Sequence, residues 1–292
     1  MIETICTLKD ISEISHFAEL GVKSLCVHTE RFAIYSPGNM TIETITKAVK
    51  ITHENNMRLY VRVDAIFYEE DLIQLEKHIK YLIDCDVDGI YFADMAVYQL
   101  TDKYNRKDLL IYDPQTLITN DQDLVNYLDL GIKRCVVAKE LTFDKTLAVT
   151  KDNGKQSEMI VFGYLRMSLS RRKMLSGYQD DFKTINLHQN EKIRAKEESR
   201  KEKFYIYEDQ HGTYTYSPYI FYCMTELLKL TEVIKVIRFE RCFIEDEMYF
   251  DIVKAYLAVL NSANIAEIDK MIKSKYSNYE FSTGFLYEAT TL

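Results

Sequence analysis

The amino-acid sequence predicts an α/β fold: a TIM-type (β/α)8 barrel with a β-hairpin and a basic segment inserted between strands seven and eight. Three observations carry this. Short β-branched or aromatic runs alternate with longer segments of helical period. There are eight such runs, the number at which parallel strands joined by right-handed helical crossovers close on themselves. No glycine-rich phosphate loop follows the first run, as an open dinucleotide-binding sheet would require.

The expected strands are Glu3–Leu8, Ser24–Thr29, Arg58–Val63, Gly89–Ala93, Leu109–Tyr112, Arg134–Ala138, Met159–Leu165 and Val236–Phe239. Between them, Ile42, Ile45, Val49 and Thr52 recur at helical spacing behind Thr41, a good N-cap. Leu72, Leu75, Ile79 and Leu82 mark the next helix, and Leu124–Leu130 ends on Gly131, a C-cap glycine. Three junctions repeat one theme, a helix end and a tight turn before an apolar strand: Leu20–Ser24, Asp86–Gly89 and Leu130–Arg134. After the seventh strand the regularity breaks. Phe204–Ser217 alternates aromatic and polar residues around Gly212, as a β-hairpin does. A helix is expected over Tyr219–Leu230, and others over Glu247–Leu260 and Ile265–Tyr276. The reading is one barrel domain, 1–292, with the basic insertion at 166–218 inside it.

A hydrophobic fraction of 47% and a charged fraction of 28% exclude collagen-like, disordered and disulfide-scaffold classes. No apolar run reaches the roughly 18–20 residues of a membrane span, and the first residues read as a strand, not a signal. Six cysteines without a CxxC pair fit buried thiols in a reducing compartment, so a cytoplasmic location without a membrane partner is expected. The net charge of −8 hides an asymmetry. Between Arg166 and Lys203 stand 11 Lys/Arg against 6 Asp/Glu, a local +5 on a body of −13. A basic island of this kind suits one grip on a phosphate backbone.

In such barrels the working residues lie at the C-terminal strand ends. Those positions are His28, Asp64, Asp94, Asp113, Glu140, Arg166 and Glu240. Five carboxylates around one mouth would repel each other, raising their pKa values or drawing in a metal or cations. Asp64 and Asp94 would alternatively serve as helix N-caps. There is no HExxH and no G-x-S-x-G, so zinc-protease and serine-hydrolase sites have no support, and no metal site is assigned.

Several motifs occur in a recognisable order. Gln115–Asn120, Leu130-Gly131-Ile132-Lys133-Arg134 and Lys139-Glu140-Leu141 are followed by Phe162–Ser176, then Glu198-Ser199-Arg200, Glu208–Thr213 and Ile237–Arg241. This series resembles peptidase family U-32, the collagenase-like proteases, over residues from about 20 to 241. Where many members carry iron–sulfur cysteines, this chain has Arg166 and Lys173, and Phe162 replaces the signature histidine. Thiolates hold such clusters and cations cannot, so no iron–sulfur cluster is expected. The pattern resembles the short, cysteine-poor branch. That resemblance implies a part in hydroxylating the wobble uridine of tRNA to 5-hydroxyuridine, with prephenate as a conceivable small-molecule donor. Peptidase action, and service as a non-catalytic partner of a longer cluster-bearing paralogue, are the alternatives. On this reading Glu140, Glu240 and Asp94 are the catalytic candidates. Gln115, Asn120, Arg166, Arg171, Arg172, Lys173 and Arg238 are the candidates for binding tRNA or an anionic small molecule.

Overall fold

A computed structural model describes residues 2–182, 193–196 and 202–288. Strands β1 (Glu3–Thr7), β2 (Ser24–His28), β3 (Arg58–Val63), β4 (Gly89–Phe92), β5 (Leu110–Tyr112), β6 (Arg134–Val136) and β7 (Ser157–Ser170) pair in parallel, in that order. Four further segments follow, β8 (Ile193–Lys196), β9 (Lys203–Asp209), β10 (Gly212–Tyr222) and β11 (Val236–Phe239). Strand β11 pairs in parallel with both β1 and β7 and closes the eight-stranded barrel. Helices α1 (Ile14–Glu19), α2 (Ile42–Glu54), α3 (Leu72–Asp84), α4 (Met95–Asp102), α5 (Asp121–Asp129) and α6 (Phe143–Thr150) form the crossovers.

The expected caps are in place. Thr41 accepts from the Thr44 amide at the start of α2, and Asn120 caps α5. All three repeated junctions turn through a left-handed residue: Gly21 (φ +86°), Asp86 (φ +61°) and Gly131 (φ +87°). In the middle junction Asp86 makes the turn, and Gly89 has a different task. A Cβ there would come 2.9 Å from the Tyr60 ring inside the barrel, so the glycine makes room for an aromatic filling.

Two expectations fail in the second half. Strand seven is twice as long as its apolar run, because residues beyond Phe162 leave the barrel and pair antiparallel with β10, from Tyr222 up to Thr213. The helix expected over Tyr219–Leu230 begins only at Leu227 and runs to Val233 as α8. Residues 219–222 are aromatic or β-branched and stay in β10, bonded to β7 on one side and to β12 (Phe281–Ser282) on the other. The hairpin around Gly212 forms as expected, β9 against β10. Helix α7 (Met174–Asp181) lies between β7 and β8, and α9 (Asp246–Leu260) and α10 (Ile265–Lys275) follow β11. Much of the basic island, and the Glu198-Ser199-Arg200 motif, lie outside the described residues.

Alternation sorts the strand side chains. Leu25, Val27, Leu59, Val61, Ile90, Phe92, Leu110 and Ile237 face the helices in the main apolar core. Ile5, Cys26, Tyr60, Tyr91, Ile111, Val136 and Val236 fill the barrel axis. The same inward register carries Glu3, Arg62, Arg134, Glu158 and Arg238, so this barrel is filled in part by charge where branched apolar residues usually dominate.

Candidate active site at the barrel mouth

The inward charges form one continuous column of ion pairs. At the lower end Glu3 accepts from Ser24 and Tyr60, each at 2.6 Å, and pairs with Arg134. Arg134 Nε lies 2.8 Å from Glu158, which also accepts from Tyr91 at 2.7 Å. Arg238 then spans three carboxylates, with Nη1 2.7 Å from Glu158, Nη2 2.7 Å from Asp113 and Nε 2.9 Å from Glu240. Arg62 donates to Asp64 (Nε 3.0 Å, Nη2 2.7 Å) and to Asp113 (2.8 Å), and reaches Glu240 at 3.4 Å. Arg62 and Arg238 also lie over the Tyr91 ring, at 5.2 and 4.8 Å.

This column is the cationic outcome of the expected acidic ring, with arginines of the chain itself between the carboxylates. Burial by itself would raise Asp64, Asp113 and Glu240, but the arginines outweigh it. Arg62 and Arg166 hold Asp64 down, Arg238 and Arg62 hold Asp113 far below the usual carboxylate range, and Arg238 and Arg62 lower Glu240. Asp64 also does not cap a helix. It is fully buried, accepting from the Ile34 amide as well as from Arg62.

Above the column a small pocket is lined by His28, Arg62, Gln115, Arg166 and Glu240, with Tyr35, Tyr164, Tyr216 and Cys242 as its walls. Strand β7 delivers Arg166, and the turn after β11 delivers Glu240. Gly163 (φ +123°) permits this approach, since a Cβ on it would meet Glu240 Cβ and O at 2.7 Å. Two buried nitrogens, Arg166 Nη1 and His28 Nδ1, have no hydrogen-bond partner among the described residues. The nearest acid to Arg166 is Asp64, at 3.7 Å. Unsatisfied buried polar atoms of this kind mark a place for a ligand or water. Burial, reinforced by Arg62, pushes His28 down to about 3 and keeps its ring neutral.

The other candidates fall elsewhere. Asp94 caps α4 and ties down the Phe67 amide, so both its oxygens are used locally. Glu140 and Asn120 line a neighbouring cleft with Thr119 and Lys145, and the Asn120 side chain is engaged with Asp123. Arg238 is fully buried within the column. Arg171 is a staple: Nη1 donates to Ile66 O (2.8 Å) and Asp71 (2.9 Å), and the guanidinium lies 3.9 Å from the Tyr68 ring centroid. Arg172 and Lys173 are exposed, and Lys173 borders an outer groove with Asn39, Tyr35 and Tyr207. Tyr35 stacks on Tyr207 at 4.1 Å and belongs to both groove and pocket, so the two adjoin.

The hairpin motif explains how this rim is held. Glu208 accepts from the Leu175 and Ser176 amides at the start of α7, from the Ser176 hydroxyl, and from Thr213. The Thr213 hydroxyl, whose one proton is shared between Glu208 Oε2 and Arg172 O at 2.8 Å each, also accepts from the Met174 amide. Gly212 (φ +132°) lies against Ser170, where a Cβ would fall 2.0 Å from its carbonyl oxygen. Glu208, Gly212 and Thr213 thus clamp the segment that carries Arg171–Lys173.

Sequence reasoning missed Arg62, Arg134, Glu158 and Lys139. For Arg62 a signal existed, since a charge in step with Arg58 and Tyr60 in Arg58–Val63 must point into a barrel. Lys139 lies in the turn after β6, with Nζ 3.3 Å from Gln115 Oε1. At the places of the family's cluster cysteines, Arg166 and Lys173 offer no ligand for iron, so the residues present do not fit such a cluster. Among the described residues no three His, Cys, Asp or Glu side chains group as metal ligands would.

Residues 9–291 match the family model described as Peptidase family U32. The chain is similar to tRNA hydroxylation protein P2 of Bacillus subtilis (strain 168), 27% identical over 74% of this chain and 71% of that one. It is also similar to the uncharacterized protease MJ0090 of Methanocaldococcus jannaschii, 24% identical over 61% of this chain and 44% of that one. Against tRNA hydroxylation protein P of Helicobacter pylori (strain ATCC 700392 / 26695) it is 26% identical over 48% of this chain and 33% of that one. The matched span is thus less than half the length of the last two. Among solved structures, the U32 peptidase Mk0906 superimposes with a TM-score of 0.49 at 11% identity, over 82% of this chain and 92% of that one.

Proposed function

The chain belongs to peptidase family U32, and from that premise we propose that it takes part in hydroxylating the wobble uridine of tRNA, with the barrel mouth as its working site. The names of its relatives in Bacillus and Helicobacter support the reaction class. The observation that carries the site is the pocket with two buried nitrogens lacking partners, adjoining a groove bordered by stacked tyrosines and Lys173. A wobble base already stands in a loop and can be turned out into such a site. Stacked tyrosines suit a base, and Arg172 and Lys173 suit its phosphates. Gln115 offers an amide to a base or sugar edge, Arg166 receives negative charge, and Glu240 is the pocket's carboxylate for positioning or proton transfer. Glu140 faces the adjoining cleft and Asp94 supports the loop above. A tRNA substrate places the protein in the cytoplasm, and no helix among the described residues is long and apolar enough to cross a membrane.

Peptidase chemistry finds less support. His28, the histidine that lines the pocket, is held at about 3 by burial, too weak a base to activate a hydroxyl or thiol at neutral pH. The test is mass spectrometry of tRNA nucleosides from cells with and without the gene. Loss of 5-hydroxyuridine is expected, and an unchanged level overturns the proposal. Repeating the reaction with purified protein, alone and with a longer family paralogue, shows whether the chain acts by itself.

A further inference from the structure

Opposite the mouth, at the strand entries, the barrel carries a second concentration of charge. Lys155 stands two residues before β7, Lys235 and Lys23 stand directly before β11 and β2, and Arg58 opens β3. These strands are neighbours, in the order β7, β11, β1, β2, β3. Backbone bonds fix the arc. The Lys235 amide donates to Gly154 O (2.9 Å), the Glu3 amide to Lys235 O (2.8 Å) and the Arg58 amide to Lys23 O (2.8 Å). At about 4.8 Å per strand, the four cations stand within roughly 20 Å of one another.

All four line one dish of about 360 Å³, floored by Ile2 and Val236, and Glu3 is the one acid in its lining. That carboxylate is already satisfied. It accepts from Ser24 and Tyr60 and pairs with Arg58 (3.1 Å) and Arg134 (3.5 Å). Burial would raise it, but Arg134, Ser24, Tyr60 and Arg58 together hold it below its usual range. Helix C-termini point at this face of a barrel, and cations there can serve their carbonyls. Lys235 does so, donating to Thr231 O and Glu232 O at 2.6 Å each. Lys23 and Lys155 do not: both are exposed, and neither bonds a side chain or carbonyl among the described residues.

Four cations thus surround one satisfied carboxylate, on a chain whose net charge is −8. A positive concavity on an acidic body gathers anions. Phosphate is the anion that a lysine point charge and an arginine fork both serve, and an apolar floor beside it suits a ring. We propose that this dish binds the phosphates of a nucleotide, with Lys23, Lys155 and Arg58 on the phosphates and Ile2 and Val236 beneath the nucleoside. The nucleotide is either free or one unit of an RNA strand, and the test separates these two sources. The inference does not rest on the barrel mouth being the working site.

The experiment is calorimetric titration of the full chain with ADP and with adenosine at low salt, beside a salt titration of tRNA binding. The variant is Lys23→Gln with Lys155→Gln; both side chains are exposed, so it should melt with the wild type. For a free nucleotide, ADP should bind at least about tenfold more tightly than adenosine, and the double variant should weaken ADP by about tenfold. Arg166→Met, at the mouth, should leave ADP affinity unchanged. For an RNA strand, the double variant should flatten the log–log salt dependence of tRNA binding by about 1.4–1.8. A double variant that changes neither ADP affinity nor the salt slope overturns the proposal. The nucleoside assay above reads neither quantity, so the two readings fail separately.

Discussion

Replacing Arg238 with methionine tests how the barrel is held together beneath its mouth. The side chain is fully buried and contacts Glu158, Asp113 and Glu240 at 2.7–2.9 Å. Removing one partner of a buried ion pair costs about 3–5 kcal/mol, because the other charge stays behind uncompensated. Here each carboxylate keeps a second partner: Asp113 and Glu240 keep Arg62, and Glu158 keeps Arg134 and Tyr91. We therefore expect a loss of about 3–5 kcal/mol rather than the sum over three pairs, against a total stability of roughly 5–15 kcal/mol. At about 2–4 °C per kcal/mol, Tm should fall by roughly 6–20 °C in calorimetry at pH 7. The pH dependence carries a sign. In the wild type Asp113 titrates below its unfolded value, so its pairing is fully present above about pH 4 and is lost only as pH falls further. Without Arg238, burial acts less opposed on Asp113 and Glu240, and either can relieve its charge by taking a proton. The gap between variant and wild type should thus narrow as pH falls from 8 to 5. Arg238→Lys, a single point charge in place of a fork, should recover only part of the loss. A Tm within about 2 °C of wild type would refute the reasoning, since that is the effect of a change worth less than about 1 kcal/mol.

Three further outcomes follow from other parts of the molecule. Glu208→Ala frees the Leu175 and Ser176 amides, so trypsin should cut faster at Arg171–Lys173 and stability should fall by about 1–3 kcal/mol; unchanged cleavage kinetics would dismiss the clamp. If Arg172 and Lys173 meet single-stranded phosphates, replacing both with alanine should flatten the log–log salt dependence of tRNA binding by about 1.4, whereas Arg171→Ala, a staple, should leave the slope alone. His28 is held at about 3 and His78 at about 4, both below the unfolded value near 6.5, so the unfolded chain binds protons that the folded one refuses. Stability should therefore fall as pH drops below about 6.5, by up to about 1.4 kcal/mol per pH unit for each ring. His28→Gln should remove one ring's share in urea melts between pH 7 and 5.

Much of the fold was legible because a barrel writes its period into the chain. Val236–Phe239 and Arg58–Val63 keep the expected bounds, and the other parallel strands shift mostly by a residue or two. The exception, β7, runs on because its partner β10 lies some fifty residues later, and no local pattern announces that pairing. The site was half legible. Strand ends located His28, Asp64, Asp113, Arg166 and Glu240, which do come together. The same rule also selected Asp94 and Glu140, which sit at strand ends but turn to a helix cap and a neighbouring cleft. The strand ends showed acids that needed cations, but not which ones, because Arg62 and Arg238 lie inside the strands instead of at their tips.

Complementation of a gene deletion by Arg166→Met, a side chain of comparable reach without the charge, tests the barrel mouth most directly. With the variant's fold checked by its melting curve, 5-hydroxyuridine in tRNA is measured by mass spectrometry against cells carrying the wild-type gene. The account predicts that the wild type restores the modified nucleoside and the variant does not. Full restoration by a folded Arg166→Met protein would contradict it.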